Sequence, residues 1–233
     1  MSDKPVRLAV VHTVAALVPL FKQKLADAYP HLDAFHVLDE SLLQDLIRHG
    51  ETPDLVGRVV GHALLAEKAG ATTILFTCSS TSPAIDTARR TVDVPIVKID
   101  DAMASQAAAS GKRIGLVCTA SSTVEPSSGL IRQHAGALGR EVEIIPVLAQ
   151  DAYAAAQRGD RPEHDRIVRK AALGLTESCD VVVLAQASMA HLADGLRQDS
   201  RVPVLSSPDL CIQSLARQIA SPAIAPAGVA ARQ

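Results

Sequence analysis

Aromatic residues are almost absent from this chain: no tryptophan, two tyrosines and three phenylalanines among 233 residues, 2% in all. Hydrophobic residues nevertheless make up 48%. The core therefore has to be built from Ala, Val, Leu and Ile, which suits helices packed closely on strands. Clustered positive charge is also lacking. Lys and Arg total 23 against 25 Asp and Glu, a net charge of -2, which offers nothing to the phosphates of a nucleic acid or to an anionic membrane. No run of 18 or more apolar residues occurs, so no spanning segment is expected. The first twenty residues have a basic start and an apolar character, but His12 and Thr13 interrupt the run and a helical pattern follows. Strand then helix is the better reading than a secretory leader. The four cysteines, at 78, 118, 179 and 211, form no CxxC pair and have no His-rich partner spacing. Neither a metal site nor a disulfide framework is expected, and a reducing cytoplasm is the expected location.

What is present is an alternation of strand and helix. Val6–Thr13 is a near-continuous apolar run, as in a strand buried on both faces. Val14, Leu17, Leu20, Phe21 and Leu25 then mark a helical face across Val14–Ala28. Ala34–Leu38 reads as a strand, Ser41–His49 and Asp54–Ala69 as helices, and Thr73–Thr77 as the next strand. Ser82 as N-cap with Pro83 at the first helical position opens the following helix. Val94–Ile99 is a fourth strand, with Asp101–Ser110 helical after it. The second half gives strands at 113–118, 143–148, 180–185 and 202–206, and a helix at 161–178 that is the longest, with Pro162 in its first turn. Right-handed crossovers between such strands predict parallel sheets. The tail Ser221–Gln233, rich in Ala and Pro, is expected to be poorly ordered beyond its start.

The second half repeats the first at an offset of 107 to 108 positions. Leu8-Ala-Val-Val-His-Thr13 answers to Gly115-Leu-Val-Cys-Thr-Ala120, Thr73–Ser80 to Val181–Ser188, and Val94–Ile99 to Val202–Ser207. The fold class expected is α/β, with two pseudo-symmetric lobes that are each a four-stranded parallel sheet flanked by helices, and the active site between them. The lobes are drawn at 1–104 and 105–211, with 212–233 packing back on the first. At the mirrored middle strand ends, Cys78 meets Gln186.

Ligands of open parallel sheets bind beyond the carboxyl ends of the strands. Here those ends carry His12-Thr13, Thr77-Cys-Ser-Ser-Thr-Ser82, Thr119-Ala-Ser-Ser-Thr123 and Gln186-Ala-Ser188. Hydroxyls and helix-start amides suit a carboxylate or similar oxyanion, bound by neutral donors because few Lys or Arg fall there. Each hydroxyl taken alone reads equally as a simple cap. Cys78 lies between a strand and a helix start, where aligned peptide dipoles favour the thiolate. It reads as an acid, base or nucleophile, or else as a small core residue. Cys118 reads as a core residue, and Cys179 and Cys211 as structural. His12 either orients a substrate carboxylate or is a capped core histidine, and His191 reaches the site or faces a helix surface.

The repeat, Thr77-Cys-Ser-Ser80, the turn Thr119–Thr123 followed by Glu125-Pro126, and Val182–Met189 resemble the aspartate/glutamate/hydantoin racemase superfamily. The resemblance covers essentially the full chain. It implies two α/β lobes, a cysteine from each lobe, no cofactor, and a small carboxylate substrate. Family racemases show Gly-Cys-Thr or Gly-Cys-Ala-Gly-Met where this chain has Ala185-Gln-Ala-Ser-Met189. Two mirrored thiols supply the base and the acid of racemisation, whereas Gln186 donates a hydrogen bond but exchanges no proton near neutral pH. One-thiol members include arylmalonate decarboxylases, whose thiol lies in the opposite lobe. Maleate isomerases attack an alkene with a first-lobe cysteine, the position of Cys78. The expectation is a cofactor-independent enzyme transferring protons at carbon, with Cys78 catalytic. Substrate would be held by His12, Thr13, Ser79, Ser80, Thr119, Ser122, Thr123, Gln186 and Ser188. Decarboxylation is the alternative activity, and a binding protein that has lost catalysis is the alternative class. No metal, nucleic-acid or membrane partner is expected, and a homodimer or higher homo-oligomer is.

Overall fold

The computed structural model describes residues 6–217 and Ile219. The chain runs β1 (Arg7–His12), α1 (Leu17–Ala28), β2 (Asp33–Leu38), α2 (Glu40–His49), α3 (Pro53–Lys68), β3 (Thr73–Phe76), α4 (Ser82–Ala88), β4 (Ile96–Lys98) and α5 (Asp101–Ser110). The same succession then recurs as β5 (Arg113–Cys118), α6 (Ser121–Ala137), β6 (Glu143–Leu148), α7 (Gln150–Gln157), α8 (Arg161–Leu175), β7 (Val181–Leu184), α9 (Ala193–Asp199), β8 (Val204–Ser206) and α10 (Ser207–Leu215). Two parallel sheets result, ordered β2-β1-β3-β4 and β6-β5-β7-β8. Contacts divide the chain into unit 1, Met1–Ile99 with Cys211–Gln233, and unit 2, Asp100–Leu210. Thus α5 follows a strand of unit 1 but belongs to unit 2, and α10 crosses from unit 2 back to unit 1. Within unit 1, the Tyr29 hydroxyl donates to the carbonyl of Ile212 at 2.7 Å. Of the C-terminal segment, Gln218 and residues 220–233, which include the tail Ser221–Gln233, lie outside the described residues. Among the described residues no helix is long and apolar enough to cross a membrane.

In each unit the central strands are buried on both faces, which explains their unbroken apolar sequences. Ala9, Val11, Ile74 and Phe76 pack with Leu42 and Leu46 of α2, Leu55, Val59 and Ala63 of α3, and Ile85 of α4. In unit 2, Val117, Val182 and Leu184 pack against Val168, Ala172 and Leu175 of α8 and Leu196 of α9. The alternate residues Ile114, Leu116, Cys118, Val181 and Val183 face Met103 and Ala107 of α5 and Leu130 and Ile131 of α6. The start of α3 shows how local sequence sets an element: Thr52 accepts a hydrogen bond from Leu55 N–H at 3.2 Å, and Pro53 occupies the first turn. Asp160 does the same for α8 through Glu163 N–H.

Four details differ from the sequence reading. The register aligns Leu8 with Thr73 and Ile114 with Val181, so Leu8 corresponds to Ile114 and not to Gly115, and His12 corresponds to Cys118. Strands buried on both faces carry no alternation to fix their register, and a slip of one residue exchanges the faces. Among the described residues the longest helix is α6, with 17 residues, and α8 stops at Leu175. Of the turn read at Thr119–Thr123, Ser121–Thr123 is the first turn of α6. Pro126 lies inside this helix, where it removes one ladder donor without ending the element. Finally Thr81, not Ser82, is the N-cap of α4. A 3-10 turn over Ser79–Thr81 runs directly into that helix.

Candidate active site

In unit 1 the central strands β1 and β3 end side by side, placing His12-Thr13 beside Thr77-Cys78. The Thr77 N–H donates to the carbonyl of Val11 at 3.0 Å. Its hydroxyl lies 2.9 Å from His12 Nδ1 and 3.2 Å from the same carbonyl. His12 Nε2 in turn lies 2.9 Å from His36 Nδ1. His12 has no exposed surface, and its ring nitrogens face Thr77 and His36. Its pKa is pushed down to about 4 by burial and then by the neighbouring His36. Burial, and then the positive charge of Lys22, lowers His36 as well. Both rings are therefore neutral at pH 7, and one proton lies in the contact between them.

Cys78 follows directly, in extended conformation (φ -123°, ψ 113°) and 9% exposed. Its carbonyl accepts from the Thr81 hydroxyl at 2.9 Å and from Thr81 N–H at 3.3 Å, which fixes the turn carrying buried Ser79 and Ser80. The hydroxyls of Thr13 and Ser82 are buried and make no hydrogen bond, a state costing about 1–3 kcal/mol each and common where a ligand completes the pairing. A residue missed from the sequence is Lys98, 3% exposed at the end of β4, in register with Phe76 and 2.8 Å from Asp86. A lone lysine within the apolar run Val94–Ile99 was the available signal.

In unit 2 the equivalent strand ends carry Thr119 and Gln186. Gln186 stands two residues beyond β7, as Cys78 stands two beyond β3, with nearly the same backbone (φ -127°, ψ 134°) and again ahead of a 3-10 helix, Ala187–Leu192. Its Oε1 accepts from Thr119 N–H at 2.6 Å and from the Thr119 hydroxyl at 2.9 Å. Thr123 is buried in the first turn of α6, Ser122 is half-buried there, and Ser188 is exposed. Cys118 is fully buried in the core and its thiol is pushed up to about 12 by that burial, so it stays protonated. Cys179 and Cys211 are likewise buried, and none of the four cysteines is in a disulfide. His191 is held by Asp165 and by the carbonyl of Ser188. A groove of about 420 Å³ between α7 and α8, lined by Arg158, Glu163 and Arg166, includes none of the strand-end residues.

Two similar units, each a parallel sheet whose central strands end in small polar residues, define a duplicated α/β protein. The chain belongs to the Asp/Glu/Hydantoin racemase family, which it matches over residues 8–215. Among solved structures it is similar to a putative Asp/Glu racemase from Yersinia pestis, at 18% identity and a TM-score of 0.72, covering 91% of this chain and 98% of that one. It is similar to an allantoin racemase from Klebsiella pneumoniae at 18% identity and a TM-score of 0.66, over 91% and 88% of the two chains. An arylmalonate decarboxylase variant in its sulfate-associated form is 17% identical with a TM-score of 0.62, over 91% and 93%. Comparison with curated proteins gives no match.

Proposed function

We propose that this protein is a cofactor-independent enzyme that transfers a proton at a carbon next to a carboxylate or related carbonyl group, by racemisation or isomerisation. The observation that carries the reading is the family match over residues 8–215, together with a thiol, Cys78, placed two residues beyond the central strand β3. Cys78 is the acid or base. The hydroxyls of Thr13, Ser79 and Ser80, with Ser122, Thr123 and Ser188, are the neutral donors for the carboxylate, while Thr119, whose N–H and hydroxyl both donate to Gln186, positions that amide. His12 acts through Thr77 to fix the backbone from which the thiol projects, and Gln186 is an uncharged donor.

The same single thiol favours a second reading, a decarboxylase. There the bond from the α-carbon to one carboxylate breaks, carbon dioxide leaves, and the electron pair remains on the α-carbon as an enediolate. The thiol proton of Cys78 closes the new C–H bond, and the thiolate recovers a proton from solvent. Racemisation needs a second proton donor on the opposite face, which an amide does not supply.

Turnover in deuterated water tests the proposal and separates the two readings. A racemase washes deuterium into recovered substrate and product of both hands. A decarboxylase places one deuterium on one face of the product and leaves unreacted substrate unlabelled. A panel of small chiral carboxylates, hydantoins and malonates that shows neither outcome, with Cys78 inert to iodoacetamide at neutral pH, would leave the binding-protein reading standing.

A further inference from the structure

We propose that His164, Asp165 and His191 of unit 2 form a binding site for a divalent transition-metal cation of the Zn²⁺ class. The three side chains come from two elements: α8 supplies the adjacent pair His164 and Asp165, and the 3-10 helix after Gln186 supplies His191. One carboxylate oxygen, Asp165 Oδ1, lies 2.7 Å from His164 Nδ1 and 2.8 Å from His191 Nε2. All three ligand atoms lie within 4.8 Å of one another, and the two rings are inclined by 25° with centroids 6.2 Å apart.

The partners of His191 match those of a metal-bound imidazole. Its Nδ1 is 3.0 Å from the carbonyl oxygen of Ser188, which only accepts. Its Nε2 faces Asp165 Oδ1 at 2.8 Å, the same oxygen on which His164 Nδ1 converges. Either a second ring proton or a cation at Nε2 satisfies that contact, and the convergence of three ligand atoms within 4.8 Å is what favours the cation. A metal ligand with its second ring nitrogen donating to a backbone carbonyl has this arrangement of groups.

The donor set chooses the ion. Two imidazoles and one carboxylate suit zinc and its neighbours, whereas Mg²⁺ and Ca²⁺ require oxygen ligands. Three protein ligands leave a fourth position for water. Metal–nitrogen bonds of about 2.0–2.1 Å place tetrahedral ligands about 3.3 Å apart, so the two short contacts need to widen by about half an ångström. His191 and Asp165 are 31% and 24% exposed, which gives an ion access, while His164 is buried behind them. Arg161 Nε approaches the other oxygen, Oδ2, at 4.0 Å from an exposed side chain, leaving Oδ1 for the ion. A bound cation would tie the 3-10 helix carrying Ser188 to α8 and stiffen the turn that follows Gln186.

The test uses the full-length, tag-free protein, Zn²⁺ titrated against a chromophoric chelator, and Co²⁺ absorption. One equivalent of Zn²⁺ should bind and persist in Cys78→Ser, while millimolar Mg²⁺ should not compete. His191→Ala and Asp165→Asn should each weaken binding on the order of a hundredfold or more. Co²⁺ should give visible bands without a thiolate charge-transfer band. Absence of stoichiometric binding, affinity unchanged in both variants, loss of binding in Cys78→Ser, or a thiolate band would each overturn the proposal. Melting of the metal-free variants checks that they fold; should both fail to fold, the Co²⁺ spectrum of the unaltered protein decides alone.

Discussion

Gln186 is fixed by Thr119: one side-chain oxygen takes both the backbone N–H and the hydroxyl of that residue, at 2.6 and 2.9 Å. Because the backbone N–H can only donate, the atom facing it is the amide oxygen. The NH₂ group is therefore the part of Gln186 left for other partners, and the residue acts as a donor.

Gln186→Cys follows from this arrangement with two separable effects. It restores a thiol at the position equivalent to Cys78, so exchange of both enantiomers of a substrate or product with an acidic stereocentre should appear or increase. It also strips Thr119 N–H of its acceptor, and Thr119 is only 3% exposed. The cost should be about 1–3 kcal/mol, read as a lower Tm in a thermal melt. An unchanged Tm would mean that the Thr119–Gln186 pair contributes nothing.

The cysteines should separate chemically. Cys118 is pushed up to about 12 by burial in the core of unit 2, so iodoacetamide at neutral pH should leave it unmodified in the folded protein. Peptide mass spectrometry should find label at Cys78. Cys78→Ser should abolish turnover with the fold intact, since a hydroxyl is a far weaker acid than a thiol. Cys118→Ser should cost stability and retain appreciable activity. Equal losses from the two changes would remove the distinction between them.

Acid should destabilise unit 1 through His12. Its folded pKa, about 4, lies below the unfolded value of 6.5, so the fold prefers the neutral ring. The stabilisation is fully present above about pH 6.5 and is lost as pH falls through 4. For a shift of this size the loss is on the order of 3 kcal/mol. His36, also lowered, adds in the same direction. Asp39 acts in a lower window. Burial alone would raise it, but hydrogen bonds from Ser41, His62 and Arg58 hold it well below the ordinary carboxylate range, so its contribution is lost only below about pH 4. In urea titrations between pH 7 and 4, His12→Asn should flatten the slope relative to wild type; an equal slope would show that His12 does not set it.

The duplicated α/β fold was legible because its signals are local: apolar runs for strands buried on both faces, and Pro83 and Pro162 in the first turns of α4 and α8. The strand-end position of Cys78 was legible for the same reason, since Thr77-Cys-Ser-Ser follows a strand directly. Contacts made across the sheet were not. The His12–His36 and Thr119–Gln186 pairs join residues 24 and 67 positions apart, and no spacing rule announces either. His164, Asp165 and His191 escaped likewise, because 26 residues separate Asp165 from His191. Lys98 was visible, but its burial depends on the neighbouring strand and on Asp86.

Gly115 should prove irreplaceable for packing and not for backbone freedom. It lies in β5, where any residue adopts the extended conformation, but α8 approaches it closely. A Cβ there would stand 3.0 Å from Leu175 Cδ1, 3.1 Å from Leu175 Cβ and 3.2 Å from Cys179 Sγ. Leu175 is 4% exposed and locked in the unit 2 core, so the strain falls on the contact between helix and sheet. Gly115→Ala should destabilise by about 1–3 kcal/mol. Gly111→Ala should cost more, because its Cβ would lie 2.2 Å from Asp180 Cβ. Asp180 accepts from the N–H groups of Lys112 and Arg113 at 2.7 and 2.9 Å and joins the starts of β5 and β7, so it cannot move without breaking both bonds. Denaturant midpoints should fall in the order wild type, Gly115→Ala, Gly111→Ala. A Gly111→Ala protein as stable as wild type would show that the two strand starts are not held by this contact.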